Sequence, residues 1–233
     1  VIAPLILGAL LVGASAPVEQ DRVLGLVSLP EVFGNGPCHP FEPGTVSLFA
    51  SPNAAMPIAV IQVDQHWSFA PHGGCEGLKV SVHRDRATAE LPTREYANES
   101  PAAIVLEARD GWFKIRLATG AGWLRPSTRA RFMPLADLFS EYPTLTAITD
   151  AHSGPLREEP DGVASAPKSA SPGAPVRVLE LRQRGAQTWL HVAVMSHSVC
   201  EAAAGPPEVV GLGWVPAHAP SGEPTVWFSS RGC

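Results

Sequence analysis

One stretch of this chain occurs twice, so whatever it folds into has to be built twice. Val105-Leu106-Glu107-Ala108-Arg109-Asp110-Gly111-Trp112-Phe113-Lys114-Ile115-Arg116-Leu117 is echoed by Val178-Leu179-Glu180-Leu181-Arg182 and, after a few turn residues, Trp189-Leu190-His191-Val192-Ala193-Val194. A Gly-Trp-aliphatic triplet follows in each copy, Gly122-Trp123-Leu124 and Gly213-Trp214-Val215. Each copy then reaches a Pro-Thr strand start, Pro143-Thr144-Leu145-Thr146 and Pro224-Thr225-Val226-Trp227. Matching blocks in the same order are hard to attribute to chance.

The first copy reads as a hairpin. After the turn at Asp110-Gly111, Phe113, Ile115 and Leu117 point to one side of a strand and Trp112, Lys114 and Arg116 to the other, because side chains alternate with period two. The first set is expected in a core and the second in water. Ala118 to Gly122 supplies turn residues, and Trp123-Leu124 starts the return strand. In the second copy Leu190, Val192 and Val194 take the core positions and His191 a wet one. Its return strand waits until Trp214, so Ser196 to Gly211 reads as a long hairpin loop carrying Cys200. Trp112 and Trp189 occupy equivalent outward positions. They are candidate ligand-binding residues, since aromatic side chains concentrate at binding hot spots; the alternative is that each covers the end of a unit or the face between units.

With 24 Pro and 21 Gly in 233 residues and 17% charged residues, the chain reads as many short strands joined by frequent turns, an all-β fold. The segment Leu135-Ala136-Asp137-Leu138-Phe139 is the one place where a helical turn is expected. Net charge is −5, from 17 Lys+Arg against 22 Asp+Glu, and the basic residues are scattered. Nucleic-acid binding rewards a concentrated basic face, so a nucleic-acid partner is not expected.

The order valine-leucine, turn, Trp-aliphatic-basic-aliphatic, turn, Gly-Trp-aliphatic resembles the bacterial Src-homology-3-like (SH3b) domains, small β-barrels of envelope and secreted proteins. The resemblance covers residues 104–127 and 176–216 well and the flanking strands loosely. It implies two tandem SH3-like barrels, at about 30–148 and 149–233, the first elaborated by extra sequence from Ile61 to Tyr96, with 166–173 a loop inside the second. It further implies a non-catalytic binding or scaffolding module for a cell-wall glycan such as peptidoglycan, a peptide or an envelope protein, with no cofactor.

The chain opens with an uncharged apolar run, Val1 to Ala16, that stops at Pro17-Val18-Glu19-Gln20-Asp21-Arg22. It is shorter than the roughly 20 residues a membrane span needs and fits the apolar core of a secretory signal, with cleavage expected after Ala14 or Ala16. A periplasmic or secreted protein with no membrane span is therefore expected, with residues 17–29 as a partly ordered arm. Behind a signal, the four cysteines Cys38, Cys75, Cys200 and Cys233 read as two disulfides, and pairing Cys38 with Cys75 and Cys200 with Cys233 keeps each bridge inside one unit. Cys38-His39, His66, His72 and Cys75 also offer ligand types that zinc accepts, but their spacing fits no zinc family and an oxidising compartment favours bridging, so no metal is expected. Neither a nucleophile elbow nor an exposed-thiol context is visible. The alternative to a binding module is an envelope enzyme drawing on His66, His72 and Glu76 of the 61–96 region; a third reading is a purely structural assembly partner.

Overall fold

The computed structural model describes residues 21–34, 44–65, 68–69, 75–76, 79–97, 100–141, 145–162, 164–201 and 205–229. The apolar run to Ala16, Cys38, His66, His72 and Cys233 lie outside the described residues, as do the side chains of Cys75 and Glu76. The fold is all-β apart from two short helices among the described residues. In chain order the first copy comprises β1 (Gly25–Val27), α1 (Pro30–Phe33), β2 (Thr45–Leu48), β3 (Ala59–Gln65), β4 (Ser68–Phe69), β5 (Cys75–Glu76), β6 (Lys79–Arg84), β7 (Ala87–Glu90), β8 (Thr93–Ala97), β9 (Ser100–Arg109), β10 (Trp112–Arg116), β11 (Ala121–Leu124) and β12 (Phe132–Pro134). After α2 (Leu135–Glu141), the second comprises β13 (Thr146–Ile148), β14 (Pro155–Arg157), β15 (Ala164–Ser169), β16 (Pro175–Arg184), β17 (Gln187–Met195), β18 (Val209–Pro216) and β19 (Val226–Phe228).

The copies share one strand order. In the first, β11-β10-β9-β1-β12 lie side by side, and in the second β18-β17-β16-β13-β19 do the same. Their registers agree residue by residue. Trp112 faces Arg109, Lys114 faces Glu107 and Ile115 faces Val105, with Leu106 bulged out of the ladder. Trp189 faces Arg182, His191 faces Glu180 and Val192 faces Val178, with Leu179 bulged at the same place. On the return strand Lys114 faces Trp123 and Ile115 faces Gly122, as His191 faces Trp214 and Val192 faces Gly213. The glycine of the Gly-Trp pair has a packing reason. A Cβ on Gly213 would lie 2.7 Å from the Leu156 Cβ, and one on Gly122 would lie 3.3 Å from Leu48 Cδ2, so the missing side chain lets β14 and β2 cross closely.

Ile115 and Leu117, like Leu190 and Val192, are buried as the period-two reading predicts, while Phe113 and Val194 are partly buried and pack on the core. The extra sequence from Ile61 to Tyr96 supplies β6, β7 and most of β3, which with β2 form a four-stranded sheet in the order β2-β3-β6-β7, and β8 adds to β9. The helical turn expected near Leu135 is α2, whose Leu135, Leu138 and Phe139 fall on one face and are buried.

Four expectations need correction. Residues 17–29 are not simply an arm: β1 sits between β9 and β12 and is wholly buried. The boundary at 148 cuts off β13, which pairs with β16 and β19 of the second sheet. The fourth repeat block fails for the same reason, since Thr146 belongs to an opening strand and Val226 to a closing one; the first copy's counterpart of β19 is β12. The loop expected at 166–173 is strand β15 as far as Ser169.

The copies are joined through a common core. Along β9, Ala103 and Val105 face a cluster with Leu48, Ile61, Val82, Ile115 and Leu124. Ala102, Ile104 and Leu106 face the opposite way, into a cluster that holds Leu138 and Phe139 of α2 together with Leu190, Val192 and Val226 of the second copy. A fully buried leucine contributes about 1.5–3 kcal/mol, so this shared layer holds the two copies as one body. The seam is closed outside the core by the main chain: Val23 N–H donates to the Gly222 carbonyl at 3.2 Å. Gly222 has φ +82°, and a Cβ there would lie 2.5 Å from the Asp21 carbonyl oxygen.

Chemical denaturation is expected to show Ile115→Ala and Val192→Ala each costing about 1–4 kcal/mol through lost methylenes and residual cavity. Gly222→Ala is expected to cost at least about 1–2 kcal/mol, from the left-handed backbone alone. Leu179→Ser, at the exposed bulge, should stay within about 0.5 kcal/mol. Equal losses at Leu179 and Val192 would contradict the register.

Candidate functional site

β2 alternates, with Val46 and Leu48 buried and Thr45 and Ser47 exposed. The chain leaving β11 turns back through Arg125-Pro126-Ser127-Thr128, where the Ser127 hydroxyl accepts the Arg129 N–H at 3.2 Å. Between β2 and this turn lies an open groove of about 460 Å³, lined among others by Thr45, Ser47, Phe49, Pro126, Thr128 and Glu31. It combines an aromatic wall with several hydroxyls, the mixture that ligand sites typically offer. Glu31 sits in α1, and its carbonyl accepts the Gly44 N–H at 2.7 Å, which draws the start of β2 against the helix. Both of its carboxylate oxygens are buried without a hydrogen-bond partner, and Arg129 Nη2 stands 3.9 Å away.

The two tryptophans expected to bind ligand part company. Trp112 is half-buried and meets Phe49 edge-on at 5.4 Å, so it backs the aromatic wall of the groove. Trp189 is 2% exposed, with the Arg157 guanidinium 5.3 Å above its ring and its indole N–H without a partner. It offers no open face, contrary to the outward expectation, because β14 lies alongside β18 in the second sheet and brings Arg157 over the ring. Lys114 and His191 are half-buried rather than wet: Lys114 pairs with Asp21 at 2.5 Å, and His191 stacks on Trp214 at 4.8 Å. The stacking is part of a repeated device, Arg182 lying 4.4 Å from the Trp214 ring and Arg109 5.5 Å from Trp123. The groove itself was missed from sequence. Its one available signal was Glu31, a lone charge inside the apolar run Leu29-Pro30-Glu31-Val32-Phe33.

In the 61–96 region the His83 ring joins Asp64 Oδ1 through Nε2 at 2.8 Å and the Thr88 hydroxyl through Nδ1 at 3.2 Å. A hydroxyl, imidazole and carboxylate in line are the parts of a proton relay. Here cross-strand register accounts for the contact, because His83 and Thr88 are direct partners on β6 and β7, and the pair lies on an exposed sheet face. Among the described residues no three His, Cys, Asp or Glu side chains gather as a metal site. Cys200 is disulfide-bonded. The pairings expected for it with Cys233, and for Cys38 with Cys75, involve residues outside the described ones.

A second cleft, about 510 Å³, opens where the copies meet and is lined by Arg94, Thr149, Asp150, Glu223 and their neighbours. Arg94 lies over Trp227 at 4.5 Å and 3.7 Å from Glu223, which also pairs with Arg116 at 2.5 Å. These groups answer one another across the seam, so the cleft is already occupied by its own ion pairs. Beside it His218 Nε2 meets the Val23 carbonyl at 2.7 Å. Burial pushes the His218 imidazole below its ordinary range, partly offset by that hydrogen bond and by Glu223 and reinforced by Arg22. Burial does the same to His152, against a hydrogen bond with Gly154.

Compared with protein-family models, curated proteins and solved structures, the chain finds no match in any of the three.

Both rings, His152 buried and His218 partly so, resist a proton that the unfolded chain accepts near pH 6.5, so stability is full above that value and is lost as pH falls through it. Urea midpoints are expected to be lower at pH 5.5 than at pH 7.5, with His218→Gln flattening part of the slope. A midpoint unchanged or higher at pH 5.5 would contradict the burial of these rings.

Proposed function

We propose that this chain is an exported, non-catalytic binding or scaffolding module of the bacterial envelope, made of two fused SH3-like units, the first of which holds ligand in its β2 groove. The reading as SH3-like units is supported by the shared strand order and by the repeated bulge and Gly-Trp pair. The single observation that carries the site is the groove itself: an open concavity lined by Phe49, which Trp112 backs, by the hydroxyl-bearing Thr45, Ser47 and Thr128, and by Glu31 and Arg125. Export rests on the apolar run to Ala16, and no helix among the described residues is long and apolar enough to cross a membrane. The expected ligand classes are a cell-wall glycan, a peptide or an envelope protein.

A photo-crosslinking residue at Thr128, in the groove, should capture a defined envelope component or sedimentable cell-wall sacculi, whereas the same residue at Leu179, on the second copy, should not. Phe49→Ala should lower the captured fraction by roughly tenfold or more, as loss of an aromatic anchor does, at an unchanged circular-dichroism spectrum. Equal capture from Thr128 and Leu179 would overturn the site.

A further inference from the structure

We propose that β7 is a second binding edge, independent of the β2 groove, where an extended acidic peptide adds as a strand. One aliphatic side chain of that peptide enters a cavity beside β7, and a carboxylate next to it on the same face meets Arg84. The order β2-β3-β6-β7 leaves β7 with a strand on one side only among the described residues, and all four of its residues are exposed. The Leu91 N–H donates to the Val80 carbonyl at 3.0 Å, and hydrogen-bonded pairs alternate along an antiparallel ladder. With Ala89 facing Val82 and Ala87 facing Arg84, residues 87, 89 and 91 turn their main-chain groups to β6. Thr88 and Glu90 therefore turn theirs outward, onto an open edge that templates another strand. Native sheets guard such edges with charge, proline or a bulge. Ala87-Thr88-Ala89 carries no charge and no proline, and β7 keeps its register with β6 throughout.

Main-chain pairing gives affinity, and the cavity and its one charge give selectivity. Ala87 and Ala89 share a face with Val82 and Arg84, and there a cavity of about 160 Å³ opens against Leu117, Ala118 and Thr119 of the turn after β10. It is smaller than the roughly 300–1,000 Å³ of a small-molecule site and suits a single aliphatic side chain. Leu117 is already buried in the first copy's core, so the guest side chain extends that core. Arg84 is the one charged residue lining the cavity; it is exposed and pairs with no described residue. Ala87, directly opposite it on β7, is too small to screen the guanidinium from a strand laid on the far side. In an extended peptide a carboxylate two residues from the seated side chain falls on the same face, and the guanidinium fork matches it.

The test titrates the full chain with the peptide acetyl-Thr-Glu-Thr-Val-Thr-amide while the amide signals of Thr88, Ala89, Glu90 and Thr119 are followed by NMR. Saturable shifts at these four are expected, with slowed hydrogen exchange at Thr88 and Glu90, whose N–H groups the added strand takes. Of the two patterns of N-methylation on alternate peptide residues, one should abolish binding and the other spare it, because only every second main-chain N–H faces β7. Exchanging the peptide's Glu for Gln should weaken it about three- to fivefold, the worth of an exposed ion pair, and Arg84→Gln should erase that difference. Ala89→Met, which fills the cavity from an exposed position, should lose the peptide at an unchanged circular-dichroism spectrum. Should either variant fail to fold, the peptide comparisons on the unaltered chain decide alone. No saturable shift at millimolar peptide, both methylation patterns acting alike, or equal affinity of the Glu and Gln peptides overturns the inference. Shifts at Thr45, Ser47 and Thr128 in place of the β7 amides would put the peptide in the β2 groove and overturn it as well.

Discussion

The structure depends on β9 being buried on both faces. Ala103 and Val105 close the first copy's own core, while Ala102, Ile104 and Leu106 close a second one shared with α2 and the other copy. A sheet covered on only one side would leave Leu26, Met133 and Ile104 in water, and burying such side chains is the dominant favourable term in folding. The duplication is therefore not two beads on a string. The second copy is the lid of the first, and α2, with Leu138 and Phe139 buried on one face, fills the space between them.

That arrangement explains which parts of the fold were readable from the sequence. The hairpins β9-β10-β11 and β16-β17-β18 were legible because Phe113 to Leu117 and Trp189 to Val194 alternate, and alternation marks a strand with two different faces. β1 was not legible. Val23-Leu24-Gly25-Leu26-Val27 is a continuous apolar run, the pattern of a strand covered on both sides, and it merges with the polar stretch before it. The boundary at 148 erred because β13 is only three residues long and its assignment depends on pairing with β16 and β19, which lie far along the chain. The burial of Trp189 had the same origin. Its twin Trp112 sits opposite the same residue types, and only the placement of Arg157 over one ring and Phe49 beside the other distinguishes them.

The candidate site shows how duplication frees one copy to change. Both copies keep the bulge, the Gly-Trp pair and the arginine over the second tryptophan, which serve the sheet. They differ in what borders the connection to the last strand. In the second copy that connection is occupied by residues 21–23 and locked by Gly222. In the first it borders an open groove lined by Phe49, Glu31 and several hydroxyls. One copy is committed to holding the molecule together, and the other keeps a surface for a ligand. Glu31 was hard to find from sequence because its meaning depends on Gly44 and the turn at Ser127, neither of which is near it in a pattern.

The claim that the copies form one body is tested most directly by native-state hydrogen exchange in low denaturant, comparing the amide of Ile115 with that of Val192. A shared core predicts that both exchange through the same opening, with the same free energy and the same denaturant dependence, and that Leu138→Ala lowers both by an equal amount. Two openings of different size, with Leu138→Ala affecting only one of them, would contradict it and return the copies to independent units.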